Sequence, residues 1–188
     1  MKKLYFSLIL IFSTFGAFAQ KYLPQIKAGT VLTYTAQSRN TGSSADVTLT
    51  VISVADPLKI KWDIPGVGTG FYSMSAKSIK SASKTIAQEP DPDIVTALDT
   101  DKTLILISKD AYKSMVENKT FILNGYTFNV QPDTSTFTIN DKKANITFAI
   151  TPKGHREIWI LNNPDFPIIC KAHRVTPYID FWLKALTE

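Results

Sequence analysis

The sequence predicts a mainly β (α+β) domain, built as one large curved antiparallel sheet, a half-barrel, with one or two short helices packed on it. Three observations predict it. Glu157 to His173, EIWILNNPDFPIICKAH, holds two apolar runs hinged on an Asn-Asn-Pro-Asp corner. Runs that are apolar on both faces belong to strands in the middle of a core. Leu58, Ile60, Trp62 and Ile64 alternate with Lys59, Lys61 and Asp63, the pattern of a strand with one wet face. Asn124-Gly125 joins two apolar runs as a type I′ hairpin turn. Short turns separate the strands throughout, and one or two helices are too few for an α/β fold.

Composition bounds the class. The chain has 188 residues, 44% hydrophobic and 20% charged, which suits one ordinary globular domain. Lys2 and Lys3, an apolar run from Leu4 to Phe15, and Ala17-Phe18-Ala19 read as a signal peptide over 1–19. A single domain over 20–188 is therefore expected to be exported, to the periplasm or beyond. The apolar run is shorter than the ~20 residues of a spanning helix, and no second run of that length occurs, so the mature chain is expected to carry no transmembrane segment. No cysteine stands at the cleavage site for lipid attachment, and the single Cys170 cannot form an internal disulfide. Of the net charge of +5, Lys2 and Lys3 leave with the leader, so 19 basic residues face 16 acidic ones. The remaining lysines are scattered, which argues against a nucleic-acid partner.

The elements follow in order. Val31 to Ser38 reads as a strand entered through a turn at Gly29, Arg39 to Ser44 as a hairpin loop, and Val47 to Ala55 as the returning strand. Asp56-Pro57 turns the chain into the alternating strand Leu58 to Ile64. Pro65 to Gly70, PGVGTG, reads as a flexible connection, since no helix and no Lys-Ser/Thr pair follows to make a phosphate site. Ile79, Ala82 and Ile86 recur at helical spacing, predicting an amphipathic helix over Ser75 to Gln88. Glu89 to Lys102 is acidic but lacks the Gly and Glu of an EF-hand loop, so an exposed connection is expected. Leu104 to Ile107 reads as a brief strand, followed by a helix over Lys109 to Glu117 capped by Ser108. Ser135 to Ile139 and Asn145 to Thr151 are expected to pair as a hairpin. Ile179 to Leu186 is expected as the last strand, with Ile179, Phe181, Leu183 and Ala185 on one face.

Catalytic chemistry finds few candidates, and no catalytic residue, metal ligand set or cofactor motif is assigned. No G-x-S-x-G elbow occurs. His155 shares a strand face with Glu157, a pair that reads more simply as a surface contact than as an acid-base couple. Cys170 and His173 resemble half a metal site, but residues three apart on a strand face opposite ways, so Cys170 is expected as a small buried core residue. Carboxylates for a hydrolase cannot be placed from the sequence alone.

Ile26 to Tyr34, the strand and Ser-capped helix over Ile105 to Met115, and the run EIWILNNPDFPII with its final aromatic strand resemble the TapB-like family of exported bacterial domains of unknown function. The resemblance implies an architecture similar to the half-barrel lipoprotein-localisation factors, and it implies no catalytic residues. Two functions follow as expectations. One is a non-catalytic binding module whose apolar concave face, including Trp62, Phe71, Trp159 and Phe181, takes an apolar small molecule, a lipid or an acyl chain. The other is a structural or protein-interaction component of the bacterial envelope, with a solid core and a protein partner.

Overall fold

The computed structural model describes residues 21–87, 91–132 and 135–188; the predicted signal peptide over 1–19 lies outside them. From Val31 the described chain forms a four-stranded meander: β1 (Val31–Ser38), β2 (Ser44–Ser53), β3 (Leu58–Ile64) and β4 (Gly68–Met74). It then makes α1 (Ala76–Ser81), β5 (Lys84–Ile86), β6 (Val95–Ala97) and β7 (Lys102–Leu104). α2 (Lys109–Glu117) leads to the hairpin of β8 (Thr120–Leu123) and β9 (Tyr126–Val130). Two short strands, β10 (Thr138–Ile139) and β11 (Lys142–Lys143), precede β12 (Ile146–Ile150), β13 (Glu157–Leu161), β14 (Ile169–His173) and β15 (Ile179–Thr187).

Eleven strands form one sheet in the order β6-β4-β3-β2-β1-β15-β14-β13-β12-β9-β8. All pairs are antiparallel except β4 with β6. The first and last strands pair at its middle, Val31 opposite Thr187 and Ser38 opposite Ile179, and the two halves of the sheet diverge from there. β13 and β14 are interior, as their two apolar faces require, with Ile158, Ile160, Leu161, Ile169 and Cys170 fully buried. One face, the concave one, carries Leu32, Leu49, Ile60, Met74 and Ile158 beneath the helices and the β5–β7 segment. β1 to β4 largely repeat the period-2 pattern in their burial, with mainly polar residues on the convex face, Ile52 and Phe71 excepted.

Ser108 caps α2 as expected, its side chain accepting from Ala111 N at 3.3 Å, and Met115 is the buried anchor of that helix. Asn124 and Gly125 hold the positive φ of the hairpin turn, 52° and 77°.

Four expectations are corrected. The helix expected over Ser75 to Gln88 stops at Ser81: Ala82 leaves helical ψ, and Lys84–Ile86 instead pairs in parallel with Lys102–Leu104. The backbone of Ser83 and Lys84 donates to Asp101 O, so a long-range strand pairing overrides a weak helical period rich in serine. Pro65 to Gly70 is not all connection, because β4 begins at Gly68. Ser135 to Ile139 and Asn145 to Thr151 do not pair together: Thr138–Ile139 pairs with Lys142–Lys143, whereas Ile146–Ile150 joins the main sheet. In β15 a bulge leaves Lys184 unpaired, so Leu186, not Ala185, meets Leu32 and is buried.

Candidate functional site

A cavity of about 370 Å³ opens on the concave face between β1–β4, β15 and the β5–β7 segment. Residues of five consecutive strands, β4 to β15 in the sheet order, line it, together with Ile86, Ala87, Leu104 and Ile105. Its cause is local. Farther along β1 and β2, Leu32 pairs with Leu49 and Tyr34 with Val47, filling the interior, but near the strand ends Ala36 faces Ala45 on one side and Phe181 on the other. Two alanines supply too little volume to close the space beneath Ile86 and Leu104.

The walls are apolar, with Tyr34, Leu49, Trp62, Tyr72 and Phe181 inside and Ser38, Ser43, Ser44 and Val67 toward the rim. No charged side chain is among the described residues that line it. Arg39, beside the rim, turns its guanidinium outward to Asp180, to Thr176 O at 2.6 Å and to Pro177 O. The Tyr34 hydroxyl donates to Ile169 O at 3.0 Å, and its ring meets Phe181 edge-on with centroids 5.9 Å apart. Burial pushes the Tyr34 phenol well above its ordinary range. Burial, with the charge of Asp91, pushes Tyr72 up to about 12. Both phenols are therefore neutral at physiological pH, and the cavity presents no ionised group.

Trp62 is 1% exposed, and its Nε1 has no hydrogen-bond partner. The indole edge lies against Gly70, where a Cβ would come within 2.7 Å of Nε1; only glycine admits the ring at this depth. The opposite wall holds Ile105 at φ 53°, a left-handed conformation that is costly for a β-branched residue. It is held there by its neighbours: Ile169 N donates to Ile105 O at 2.7 Å, and Thr103 Oγ1 donates to Leu106 O at 2.7 Å.

Of the four residues assigned to the concave face from the sequence, Trp62 and Phe181 line the cavity. Phe71 and Trp159 do not, and the assignment is corrected for both. Phe71 alternates with the buried Tyr72, so it stands on the convex face, opposite Lys61 and Val95. Trp159 alternates with Ile158 and also stands on the convex face, where it stacks on Phe148 with centroids 4.5 Å apart and donates from Nε1 to Ser135 Oγ at 2.6 Å. β13 is apolar on both faces, so its pattern left the side of Trp159 open. The sequence reading missed Tyr34, Ala36, Ala45 and Ile105. A pair of small residues at facing hairpin ends was the only signal for the space between them.

Cys170 is buried and its thiol is pushed up by burial, whereas the His173 side chain is 42% exposed on the other face; the two do not converge. His155 lies outside β13, and the histidine facing Glu157 is His173. In the acidic stretch, Asp99 and Asp101 pair with Lys102 at 2.6 Å and Lys84 at 2.8 Å. Among the described residues no group of three or more His, Cys, Asp or Glu is placed to hold a metal ion, and no helix is long and apolar enough to cross a membrane. A scan of the chain against protein-family models finds no match, and no curated protein is similar to it in sequence.

Proposed function

We propose that the protein is an exported, non-catalytic binding module that holds an apolar or acyl-chain ligand in the concave cavity. The observation that carries this reading is the cavity itself: about 370 Å³, walled by aromatic and aliphatic side chains, rimmed by serine hydroxyls and free of charge. That size lies at the small end of ligand pockets, which run from about 300 to 1,000 Å³, and suits a single slender chain. The strained Ile105 in the wall supports the reading, since costly backbone conformations cluster at ligand sites.

The test is native mass spectrometry of the purified mature protein, before and after organic extraction and after incubation with palmitate and with phospholipid. A stoichiometric adduct is expected, and Ala36→Leu, which places three more carbons between Ala45 and Phe181, is expected to weaken it at least tenfold. A clean apo mass before extraction and again after incubation with palmitate and with phospholipid would sink the proposal and favour a structural or protein-interaction component of the envelope.

A further inference from the structure

The convex face carries a second, chemically different groove, of about 520 Å³. Cross-strand pairing sets Phe148, Trp159, Lys171, Trp182 and Thr35 side by side over five strands. The next row along the same face holds Glu157, His173, Asp180 and Gln37. Ser135 and Thr136 form the opposite rim.

The residues of this groove are positioned rather than loose. Trp159 has Phe148 on one side and the Lys171 ammonium 4.5 Å from its ring centroid on the other, with its N–H taken by Ser135. Asp180 accepts from Arg39 and from Arg174 N at 2.7 Å through one oxygen, and its other oxygen lies 2.7 Å from His173 Nδ1. His173 is thereby oriented with its other nitrogen away from Asp180. Trp182 lies between Lys171 and Thr35 in the cross-strand row, with the Lys184–Asp46 ion pair beyond Thr35, and it stacks on no other aromatic ring among the described residues, so its indole is the ring left for a ligand to lie against. Lys171 pairs with no carboxylate among the described residues, and its ammonium sits over the Trp159 ring. An ammonium held in place without a counter-ion is a ready partner for an anion.

We propose that this groove binds an acidic saccharide, with the sugar ring on Trp182, its carboxylate on Lys171 and its hydroxyls at His173 and Gln37. An indole packs on the C–H face of a sugar while planar polar side chains at its edge take the hydroxyls, the division of labour of small-molecule sites. Charge decides the class and the orientation. Glu157 faces His173 and keeps that end of the groove unfavourable to a carboxylate, and Asp180 is already neutralised by Arg39. The anionic group therefore belongs at Lys171. This site lies on the opposite face from the acyl cavity and stands or falls separately from it.

Tryptophan fluorescence titration of the mature protein with tri-galacturonate and with the N-acetylglucosamine–N-acetylmuramate disaccharide tests the proposal, with the carboxyl-reduced form of each sugar as control. Saturable binding of at least one acidic sugar is expected, at least tenfold tighter than its reduced form. Lys171→Met and Trp182→Ala are each expected to weaken it at least tenfold, and Lys171→Arg to restore most of it. Melting temperature and palmitate uptake, read on the same variants, separate loss of the site from loss of the fold. Absence of binding by both acidic sugars at millimolar concentration overturns the proposal. So does equal binding of the reduced forms, and so does unchanged affinity in Lys171→Met.

Discussion

Replacing Gly70 by alanine perturbs the protein at the point where sheet and cavity meet. The new Cβ would lie 2.7 Å from Trp62 Nε1 and 2.9 Å from Cε2 and Cζ2. Restoring ordinary contact requires the indole to retreat by roughly 0.7 Å, or the two strands to separate by as much, and overpacking of this kind costs about 1–3 kcal/mol. Trp62 is a buried, rigid ring, so the strain cannot be shed by a flexible side-chain end. For a chain of this size each kcal/mol lowers the melting temperature by about 2–4 °C, so Gly70→Ala is expected to melt about 2–12 °C below the parent. Because the open side of the ring is the cavity, the variant is also expected to lose ligand uptake. Urea unfolding of Gly70→Ala, Trp62→Phe and the double variant provides the decisive measurement: the smaller phenyl ring relieves the clash, giving a favourable coupling of about 1 kcal/mol or more. Parent-like stability of Gly70→Ala, or strict additivity in the cycle, would refute the close approach of Gly70 and Trp62.

Two further outcomes follow from hydrogen bonds. Asn124 accepts from Thr85 N at 2.9 Å and donates to Thr85 O and Val175 O at 3.2 and 3.1 Å, so Asn124→Gly keeps the turn but releases β5 from the hairpin. It is expected to cost about 1–3 kcal/mol and to accelerate hydrogen exchange at the Thr85 amide; unchanged protection there would contradict this role. For Asp180, burial pulls the carboxyl pKa up, but the Arg174 N–H, the Arg39 guanidinium and His173 outweigh it, and the net direction is below the ordinary 3.8. A depressed carboxylate stabilises the fold above its unfolded pKa, and that contribution disappears as pH falls through the lower folded value. Asp180→Asn is therefore expected to be less stable than the parent at pH 7, by about 1 kcal/mol after solvent screening of a partly exposed pair. The difference should shrink below pH 4 in urea melts. A difference independent of pH would show that charge is not the cause.

The elements that local pattern specifies were legible before the structure. Leu58–Ile64, Lys109–Glu117 and the Asn124-Gly125 hairpin stand where alternation, a Ser cap and a turn dipeptide put them, because each signal acts within a few residues. The short strands β5, β6 and β7 were not legible. Three residues carry too little period to read, and β5 and β7 exist because Lys84 and Lys102 lie side by side in the folded chain. The candidate site divides in the same way. Trp62 belongs to an unambiguous alternating strand and was placed on the correct face. Trp159 sits in a run apolar on both faces, where period-2 reasoning cannot choose.

The residues alone determined a mainly β chain, its helix-poor architecture and its supply of aromatic side chains, because strand period, capping and turn chemistry are properties of neighbours in sequence. Only the tertiary structure decided that β1 closes on β15, that two facing alanines leave a cavity, and that the aromatics divide between a charge-free concave pocket and a convex groove built around Lys171. Those facts depend on strand order and register across more than a hundred residues, and register is set by the packing of the whole sheet.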